Sequence, residues 1–265
     1  IYVARDHMIR TVTFQHSVID DILRYKDTIA DFMCVWGDYC KDLLVTHGVP
    51  ASKLVTVGPL RGIRTSKRIS VDTYRVLNKQ LVVSWFPTKF IDTDIHVNVN
   101  KRELLCMING INLFIRKYNW NILFIIKIHP QDESYFYKRI LYEIKSSLHR
   151  KLRNNIIILD VPIEKVIDKI DLVLATNSTS SIEAILSGKI VGYINCSGIE
   201  ETLPLVKYGA AISIKCSNDL AKLLEIYTDM TKLNILIGKD FAMKDGKGLR
   251  EIYGKTSVVV NYSNI

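Results

Sequence analysis

Four hydroxyl side chains crowd the point where a short apolar strand is predicted to give way to a helix. The strand is Leu172–Ala175, and the hydroxyls belong to Ser178, Thr179, Ser180 and Ser181. A helix start carries free N–H groups and the positive end of the helix dipole, so it favours an anion such as a phosphate. The alternative is that these residues only cap the helix, which Ser and Thr do well.

Two more polar residues flank this helix start. Asn177 lies in the turn before it, and Glu183 falls within its first turns. A carboxylate there can accept hydrogen bonds from the vicinal hydroxyls of a ribose. The segment as a whole therefore predicts a site for the phosphate and ribose of a nucleotide.

A second candidate follows another predicted strand, 122–128. His129 and Pro130 come directly after it, and Lys127 precedes His129 by two positions. A histidine at the carboxyl end of a strand can donate to a phosphate oxygen, and a proline stiffens the turn behind it. The alternative is a structural histidine that caps the next helix or bonds a backbone carbonyl.

The amino-terminal part offers a candidate base. Gln15 and His16 stand at the end of a predicted strand, 11–15, which would border the cleft in a two-domain protein. A histidine there can act as a general base or bind substrate. An ordinary polar loop explains the pair equally well. Gly58 is the glycine we expect nearest a ligand, because a residue without a side chain lets the backbone approach closely.

The elements that must position these residues alternate between strand and helix from about residue 80 onward. The predicted strands are 81–86, 122–128, 156–159, 172–175, 190–194 and 211–214, and the predicted helices are 100–118, 133–152, 163–170, 179–186 and 218–227. Strands that are apolar on both faces and separated by helices imply an open parallel sheet with ligands at the carboxyl ends of its strands.

The first sixty residues repeat this pattern in a shorter form. Strands are predicted at 11–15, 32–36 and 54–57, with a helix at 39–47. We therefore predict an α/β protein with a Rossmann-like parallel-sheet domain and a partial second Rossmann-like domain. The predicted division is 1–62 for the end of a first domain, 63–80 for a linker, 81–235 for a second domain and 236–265 for a tail that packs back on the first domain.

The composition narrows the class of protein. The chain has 265 residues, 48% of them hydrophobic, and no apolar run approaches the roughly 20 residues that span a bilayer. Five scattered cysteines without C-x-x-C spacing predict reduced thiols in a cytoplasmic protein. The net charge of +9 favours anionic partners, but no RNA-recognition signature accompanies it, so we expect no nucleic acid partner.

Several familiar sites are missing from the sequence. It contains no Gly-x-Gly-x-x-Gly, P-loop, zinc or Asp-x-Asp motif. The absence of these motifs argues against an oxidoreductase, an NTPase or a metal-dependent enzyme. We expect no metal and no cofactor.

The order of the short motifs resembles a known family. They are Gln15-His16, Trp36-Gly37, Gly48-Val-Pro50, Lys127-Ile-His-Pro130, Asn177-Ser-Thr-Ser-Ser-Ile-Glu-Ala184 and Lys244-Asp-Gly246. This order resembles GT-B-fold glycosyltransferases of bacterial capsule and surface-polysaccharide assembly, of the Kdo-, sialyl- and polysialyltransferase types, and the related CDP-glycerol glycerophosphotransferases. The resemblance covers most of the chain, and the His-Pro and serine-rich pair is its most specific part.

The resemblance implies a CMP-, CDP- or UDP-linked sugar donor and an active site that needs no metal. It also implies that 81–235 is the donor-binding domain and that 1–62 is the end of the acceptor-side domain. His129 and the hydroxyls of Ser178 to Ser181 would hold the donor phosphate, and Glu183 would lie near the ribose. Two departures stand out. Ser17 replaces the glycine of a Gln-His-Gly motif, and the acidic base motif of the sialyl-type enzymes has no match before residue 60.

These features predict a glycosyltransferase acting on a surface polysaccharide or lipid-linked acceptor, cytoplasmic and peripheral at the inner membrane face. His16 is the candidate base. The alternatives are a CDP-polyol phosphotransferase of teichoic-acid type, a non-catalytic nucleotide- or glycan-binding remnant, and, ranked lower, a sugar-nucleotide 2-epimerase. The chain begins at Ile1 and is expected to lack the first part of its amino-terminal domain.

Overall fold

The computed structural model describes most of the chain. The described residues are 4, 6–16, 19, 22–58, 75, 78–88, 94–176, 178–198 and 204–229, with only the backbone described at 24 and 94–98. They divide into two compact units, with described residues up to 58 in the first and those from 75 onward in the second. The predicted tail 236–265 and most of the predicted linker 63–80 lie outside the described residues, so the domain boundaries stay predictions.

The first unit holds a small parallel sheet. Its strands are β1 (Val12–Phe14), β2 (Phe32–Val35) and β3 (Leu54–Thr56), in the order β1-β2-β3. A short helix α1 (Leu23–Lys26) and a longer helix α2 (Asp38–Thr46) accompany them. All three strands lie where the apolar runs predicted them, and Met33, Val35, Leu44 and Leu54 pack together in the core of this unit.

The second unit holds a six-stranded sheet whose adjacent strands are all parallel. The strands are β4 (Gln80–Phe86), β5 (Asn121–Lys127), β6 (Ile156–Leu159), β7 (Leu172–Ala175), β8 (Ile190–Ile194) and β9 (Ile212–Ile214). Their order is β6-β5-β4-β7-β8-β9, so the chain begins in the middle, builds one half outward and then returns to build the other. This reversal creates a topological switch point between β4 and β7, where open α/β sheets bind ligands.

Burial explains why these strands read as continuous apolar runs. Every residue of β7 and β8 is buried, because elements pack on both faces of the sheet. Isoleucine, valine and leucine fill such positions well, since branched side chains suit a pleated surface. The prediction of central parallel strands is confirmed.

The helices of the second unit are α3 (Asp94–Tyr118), α4 (Ser134–Glu143), α5 (Arg150–Arg153), α6 (Thr179–Leu186) and α7 (Ser217–Thr228). Helices α3 and α7 pack closely where Gly110 faces the start of α7. A Cβ at Gly110 would lie 2.8 Å from the carbonyl oxygen of Ser217 and 2.9 Å from Cβ of Leu220. Only glycine permits this approach, because neither neighbour is the flexible end of a side chain.

Two predicted helices are wrong in extent or type. Residues 133–152 do not form one helix: α4 ends at Glu143, a 3₁₀ turn follows at Lys145–Ser147, and α5 starts afresh. The break is stabilised by His149, whose Nδ1 accepts the N–H of Lys151 at 3.2 Å. The predicted helix 163–170 is a pair of 3₁₀ turns, Ile163–Lys165 and Ile167–Lys169, because Val166 between them leaves the helical conformation, with φ −122°.

The expectation of five reduced cysteines is also wrong. Cys106 of α3 and Cys196, in the loop after β8, form a disulfide with their Cα atoms 6.6 Å apart and a sequence separation of 90. The fold brings them together, and their spacing in the sequence carries no sign of it. Cys34 and Cys40 are buried free thiols, and burial raises the pKa of Cys40 to about 11.

Candidate functional site

The candidate site of the second unit lies at the carboxyl edge of its sheet. Trp85 of β4 pairs in register with Ile126 of β5 and with Leu174 of β7, so these strands end at the same level. Leu174 in turn pairs with Gly192 of β8. The residues that follow β5, β7 and β8 therefore reach one edge of the sheet on both sides of the switch point.

The start of α6 is organised by Ser178. Its backbone is extended, and its hydroxyl oxygen accepts the N–H of Ser180 at 3.2 Å. Its carbonyl oxygen accepts both the N–H of Ser181 at 3.0 Å and the Ser181 hydroxyl at 2.5 Å. Ser178 and Ser181 thus fill the capping role that was the alternative for this segment, and the Ser181 side chain is fully buried.

Two other hydroxyls at this helix start are uncommitted. Thr179 and Ser180 are half-buried, and neither side chain has a hydrogen-bond partner within the described part of the chain. They stand in the first turn of α6, where the helix dipole favours negative charge. Asn177, predicted as part of the same site, lies outside the described residues.

Thr176 adds an unsatisfied group that sequence reasoning did not single out. It follows β7 directly and is only 5% exposed, yet its Oγ1 has no hydrogen-bond partner among the described residues. A buried hydroxyl without a partner is unfavourable in the empty protein. Its position, next after a strand that ends at the switch point, is the signal that could have found it.

Lys127 lies at the carboxyl end of β5. It is 7% exposed, and its Nζ donates to the carbonyl oxygen of Ile128 at 3.1 Å. Burial lowers the pKa of Lys127, while the carboxylates of Glu183, Asp160 and Glu164 act in the opposite direction. These interactions place the Lys127 ammonium and the Glu183 carboxylate in one electrostatic neighbourhood, although α6 and β5 are separate elements.

His129 is half-buried and turns back on its own loop. Its Nδ1 accepts the N–H of Gln131 at 3.2 Å, and its carbonyl oxygen accepts the N–H of Asp132 at 2.9 Å. His129 therefore has a structural role in its own loop, which was the alternative to phosphate binding. Because Nδ1 accepts a hydrogen bond, the neutral ring carries its proton on Nε2, the nitrogen that can donate to a phosphate. Pro130, next in the chain, is exposed.

The candidates in the first unit lie at the carboxyl ends of its own strands. Gln15 follows β1 and is 1% exposed, with its side chain bonded to Trp36 and Cys40. His16, next to it, is exposed. Gly58 follows β3 and is buried with a positive φ of 83°, a conformation that favours glycine. The contacts of Gln15 are structural, and ligand roles for these three residues stay predictions.

Two properties of the described residues bear on the wider expectations. Their helices include none that is both long enough and apolar enough to cross a membrane. Within the same residues no three histidine, cysteine or acidic side chains are grouped so that they could hold a metal ion. The absence of a metal requirement and the membrane association both remain predictions.

Sequence comparison connects part of the chain to carbohydrate synthesis. Residues 108–194 match the model of a family described as capsule polysaccharide biosynthesis protein. The match runs from α3 to the end of β8 and includes Lys127, His129 and the start of α6. Comparison with curated protein sequences gave no match.

Structural comparison defines the fold class. A UDP-GlcNAc 2-epimerase from Neisseria meningitidis bound to UDP-GlcNAc aligns with a TM-score of 0.58 at 11% identity, over 94% of this chain and 70% of its own. Anabaena HepE in complex with UDP and glucose aligns with a TM-score of 0.54 at 14% identity, over 94% of this chain and 71% of its own. A glycosyltransferase from Rickettsia africae aligns with a TM-score of 0.51 at 12% identity, over 96% and 73%.

These relatives are enzymes of the GT-B fold, and the chain shares their α/β architecture with parallel sheets. At such low identity the likeness establishes the fold alone. The predicted fold class is confirmed, while the finer resemblance to Kdo- and sialyltransferase types is not.

Proposed function

We propose that this chain is a glycosyltransferase, or part of one, that transfers a sugar from a pyrimidine nucleotide-sugar donor to a surface polysaccharide or lipid-linked acceptor. The observation that carries the proposal is the polar set at the switch point of the second sheet. On one side of β4, the Thr176 hydroxyl, which has no partner among the described residues, precedes the helix start at Ser178. On the other side β5 ends at Lys127, and His129 follows two residues later.

This set suits the phosphate of a nucleotide. The strands β5 and β7 both flank β4, so their ends are separated by about 10 Å, a gap that a phosphate hydrogen-bonded on both sides can bridge. The start of α6 offers the hydroxyls of Thr179 and Ser180, and His129 offers Nε2–H. We assign Ser181 to shaping the helix start, because its hydroxyl is buried and bonded to the Ser178 carbonyl.

The proposed reaction is attack of an acceptor hydroxyl on the anomeric carbon of the donor sugar. The bond from that carbon to the nucleotide phosphate breaks, and the developing negative charge on the phosphate is stabilised by the donors around α6 and by Lys127 and His129. Glu183 would accept hydrogen bonds from the ribose. His16 is the candidate base for the acceptor proton, and no metal or cofactor is assigned.

Partner and location follow from the same proposal. The donor is CMP-, CDP- or UDP-linked, and the acceptor is a glycan or a lipid-linked glycan. A net charge of +9 would favour peripheral association with an anionic membrane face. The match to the capsule polysaccharide biosynthesis family over 108–194 supports the choice of a surface carbohydrate.

Titration calorimetry against CMP, CDP, UDP, GDP and ADP, with Mg²⁺ or with EDTA, tests the donor site. We expect binding of a cytidine or uridine nucleotide that does not need Mg²⁺. His129→Ala should weaken that binding at least tenfold, because a hydrogen bond to a charged phosphate is lost.

The chain offers a matched control for this variant. His149 is half-buried like His129, and its Nδ1 also accepts a backbone N–H two residues on at 3.2 Å, but it lies before β6 begins. His149→Ala should therefore remove the same local bond and leave nucleotide affinity unchanged. Equal effects of the two variants, or wild-type affinity in His129→Ala, would exclude the assignment.

Product analysis separates the activities that share this architecture. Incubation of the bound nucleotide-sugar with acceptor glycans should release the free nucleotide and extend the acceptor by a sugar. A polyol phosphate on the acceptor would instead identify a CDP-polyol phosphotransferase, since the new bond is then at phosphorus. Epimerisation of UDP-GlcNAc without an acceptor would identify a 2-epimerase, the activity for which the Neisseria protein is named.

A further inference from the structure

The loop after β8 is fastened at several points beside the candidate site. Asn195 continues the sheet by donating its N–H to the carbonyl oxygen of Ile214 at 2.8 Å. The next residue, Cys196, is bonded to Cys106 of α3, and Ser197 donates its hydroxyl to Oε1 of Glu103 at 3.5 Å. Because β8 is the neighbour of β7, this loop adjoins the strand end that carries Thr176.

Asn195 holds an acceptor that nothing in the described protein satisfies. Its Oδ1 is buried and has no hydrogen-bond partner among the described residues. An amide oxygen in that state loses its bonds to water without replacement, which is unfavourable unless a ligand donates to it. The same rule that selects His129, a polar residue directly after a strand, also selects Asn195.

Glu103 brings a second acceptor to this loop. It is 4% exposed, and its carboxyl accepts a hydrogen bond from the Ser197 hydroxyl. Burial raises its pKa to about 8, and no cation is among the groups that act on it. The carboxyl is therefore predominantly uncharged at neutral pH. The surroundings of Asn195 therefore carry little charge, whereas the phosphate-binding set contains Lys127 and the start of α6.

We propose that Asn195 and Glu103 form a subsite for an uncharged ligand group that donates hydrogen bonds. The proposal rests on the proposed function and assigns to this loop the neutral part of the nucleotide-sugar. Two groups have this chemistry: the N–H edge of the pyrimidine base and the hydroxyls of the sugar. A phosphate does not suit Asn195 Oδ1, because an ionised phosphate oxygen and an amide oxygen are both acceptors.

Two substitutions test the subsite without threatening the fold. Asn195→Ala removes an acceptor that has no partner among the described residues. Glu103→Leu replaces a buried carboxyl by an apolar side chain of similar volume. Neither should lower the free energy of unfolding at pH 7.5, and each should weaken binding of UDP or UDP-GlcNAc by about tenfold, the effect of one hydrogen bond. Asn155→Ala is the control. The Asn155 amide donates to the carbonyl oxygen of Lys151 at 2.8 Å and lies before β6, so its loss should leave the affinity for UDP and UDP-GlcNAc unchanged.

Calorimetry with uridine, ribose 5-phosphate, UDP and UDP-GlcNAc distinguishes the two sources. If the loop holds the base, Asn195→Ala weakens uridine and UDP and leaves ribose 5-phosphate unchanged. If it holds the sugar, the variant weakens only UDP-GlcNAc relative to UDP. Wild-type affinity of both variants for all four ligands overturns the subsite alone. Failure of the wild-type protein to bind these ligands and their cytidine counterparts, cytidine, CMP and CDP, overturns the proposed function and the subsite together.

Discussion

Gln15 accepts two hydrogen bonds from Trp36, one at its side chain and one at its backbone. The Gln15 side-chain oxygen accepts the backbone N–H of Trp36 at 2.9 Å, and the Trp36 indole N–H donates to the Gln15 carbonyl at 2.8 Å. The Gln15 amide also donates to Sγ of Cys40 at 3.5 Å. These bonds join the carboxyl ends of β1 and β2 and fix the backbone from which His16 projects.

Replacing Gln15 should therefore affect stability. Gln15→Ala leaves the Trp36 N–H buried without its partner and opens a gap, so we expect a loss of about 2–3 kcal/mol in the free energy of unfolding in urea. His16→Ala, one position further, changes an exposed side chain and should stay within about 0.5 kcal/mol. If Gln15→Ala proved as stable as His16→Ala, the bond from the Trp36 N–H to the Gln15 side chain would contribute nothing to stability.

Thr176→Val should separate stability from binding. Valine has nearly the same shape as threonine and lacks the unpartnered hydroxyl, so the empty protein should be as stable as the wild type or up to about 1 kcal/mol more stable. Nucleotide affinity should fall about tenfold in calorimetry, because the ligand loses one bond.

Ser84→Ala provides the contrast for Thr176→Val. The Ser84 hydroxyl is buried but already donates to the carbonyl of Ile125 at 3.1 Å. Its loss should cost about 1 kcal/mol of stability and leave nucleotide affinity unchanged. The reverse pattern in the two variants would contradict the assignment of Thr176 to the ligand.

Glu103 should make the protein less stable as the pH rises. Its pKa is about 8 in the folded state against 4.5 in the unfolded chain, so the folded state binds more protons between these values. Its contribution to stability is fully present below the lower value and is lost as the pH approaches 8. Glu103→Gln stays uncharged throughout and should gain stability over the wild type between pH 5 and pH 8.5, by about 2–4 kcal/mol at the upper end.

Urea unfolding of both proteins across this pH range measures the effect. Glu143→Gln is the control, because Glu143 is a surface carboxylate whose pKa is lowered chiefly by its hydrogen bond with Lys101. Its stabilising contribution is constant above its ordinary pKa and disappears only in acid. A difference between wild type and Glu103→Gln that does not grow with pH would show that Glu103 is not held uncharged by burial.

Breaking the disulfide should destabilise the second unit. Cys106→Ala with Cys196→Ala removes a cross-link between residues 90 apart and should lower the free energy of unfolding by about 2–5 kcal/mol. Cys216→Ala removes an exposed free thiol that caps the start of α7, and it should cost no more than about 1 kcal/mol. Thiol titration of the denatured wild-type protein should find Cys34, Cys40 and Cys216, and reaction of all five cysteines would contradict the bond.

Local patterns predicted the strands well, because isoleucine- and valine-rich runs in a sheet covered on both faces leave little ambiguity. The start of α6 at Thr179 was equally clear from its cap. The predictions of helices at 133–152 and 163–170 are wrong because 3₁₀ turns that end at Leu148 and Val166 interrupt them. Apolar periodicity carries no information about such turns. The bond from Cys106 to Cys196 is a product of the tertiary fold alone.

The site was predictable in position and less so in detail. Strand ends selected Lys127, His129 and the serine-rich start, but no sequence pattern distinguishes Ser181, whose hydroxyl is bonded within the helix start, from Ser180, whose hydroxyl is not. That Thr176 and Asn195 lack partners among the described residues likewise depends on packing, which no sequence pattern shows. Which polar groups a ligand can use is a property of packing.

The strand order also has a consequence for how this protein is made. The strand β4 is complete at Phe86 and can pair with β5 soon afterwards, but β7, which covers its other edge, begins only at Leu172. While the ribosome makes the residues between them, the central strand of the sheet has one open side, and an open apolar edge is a template for association with other chains. Nascent or prematurely terminated chains that stop before Leu172 should therefore aggregate more readily than chains that extend past Ala175, and chaperones that shield strand edges should be most effective in that interval.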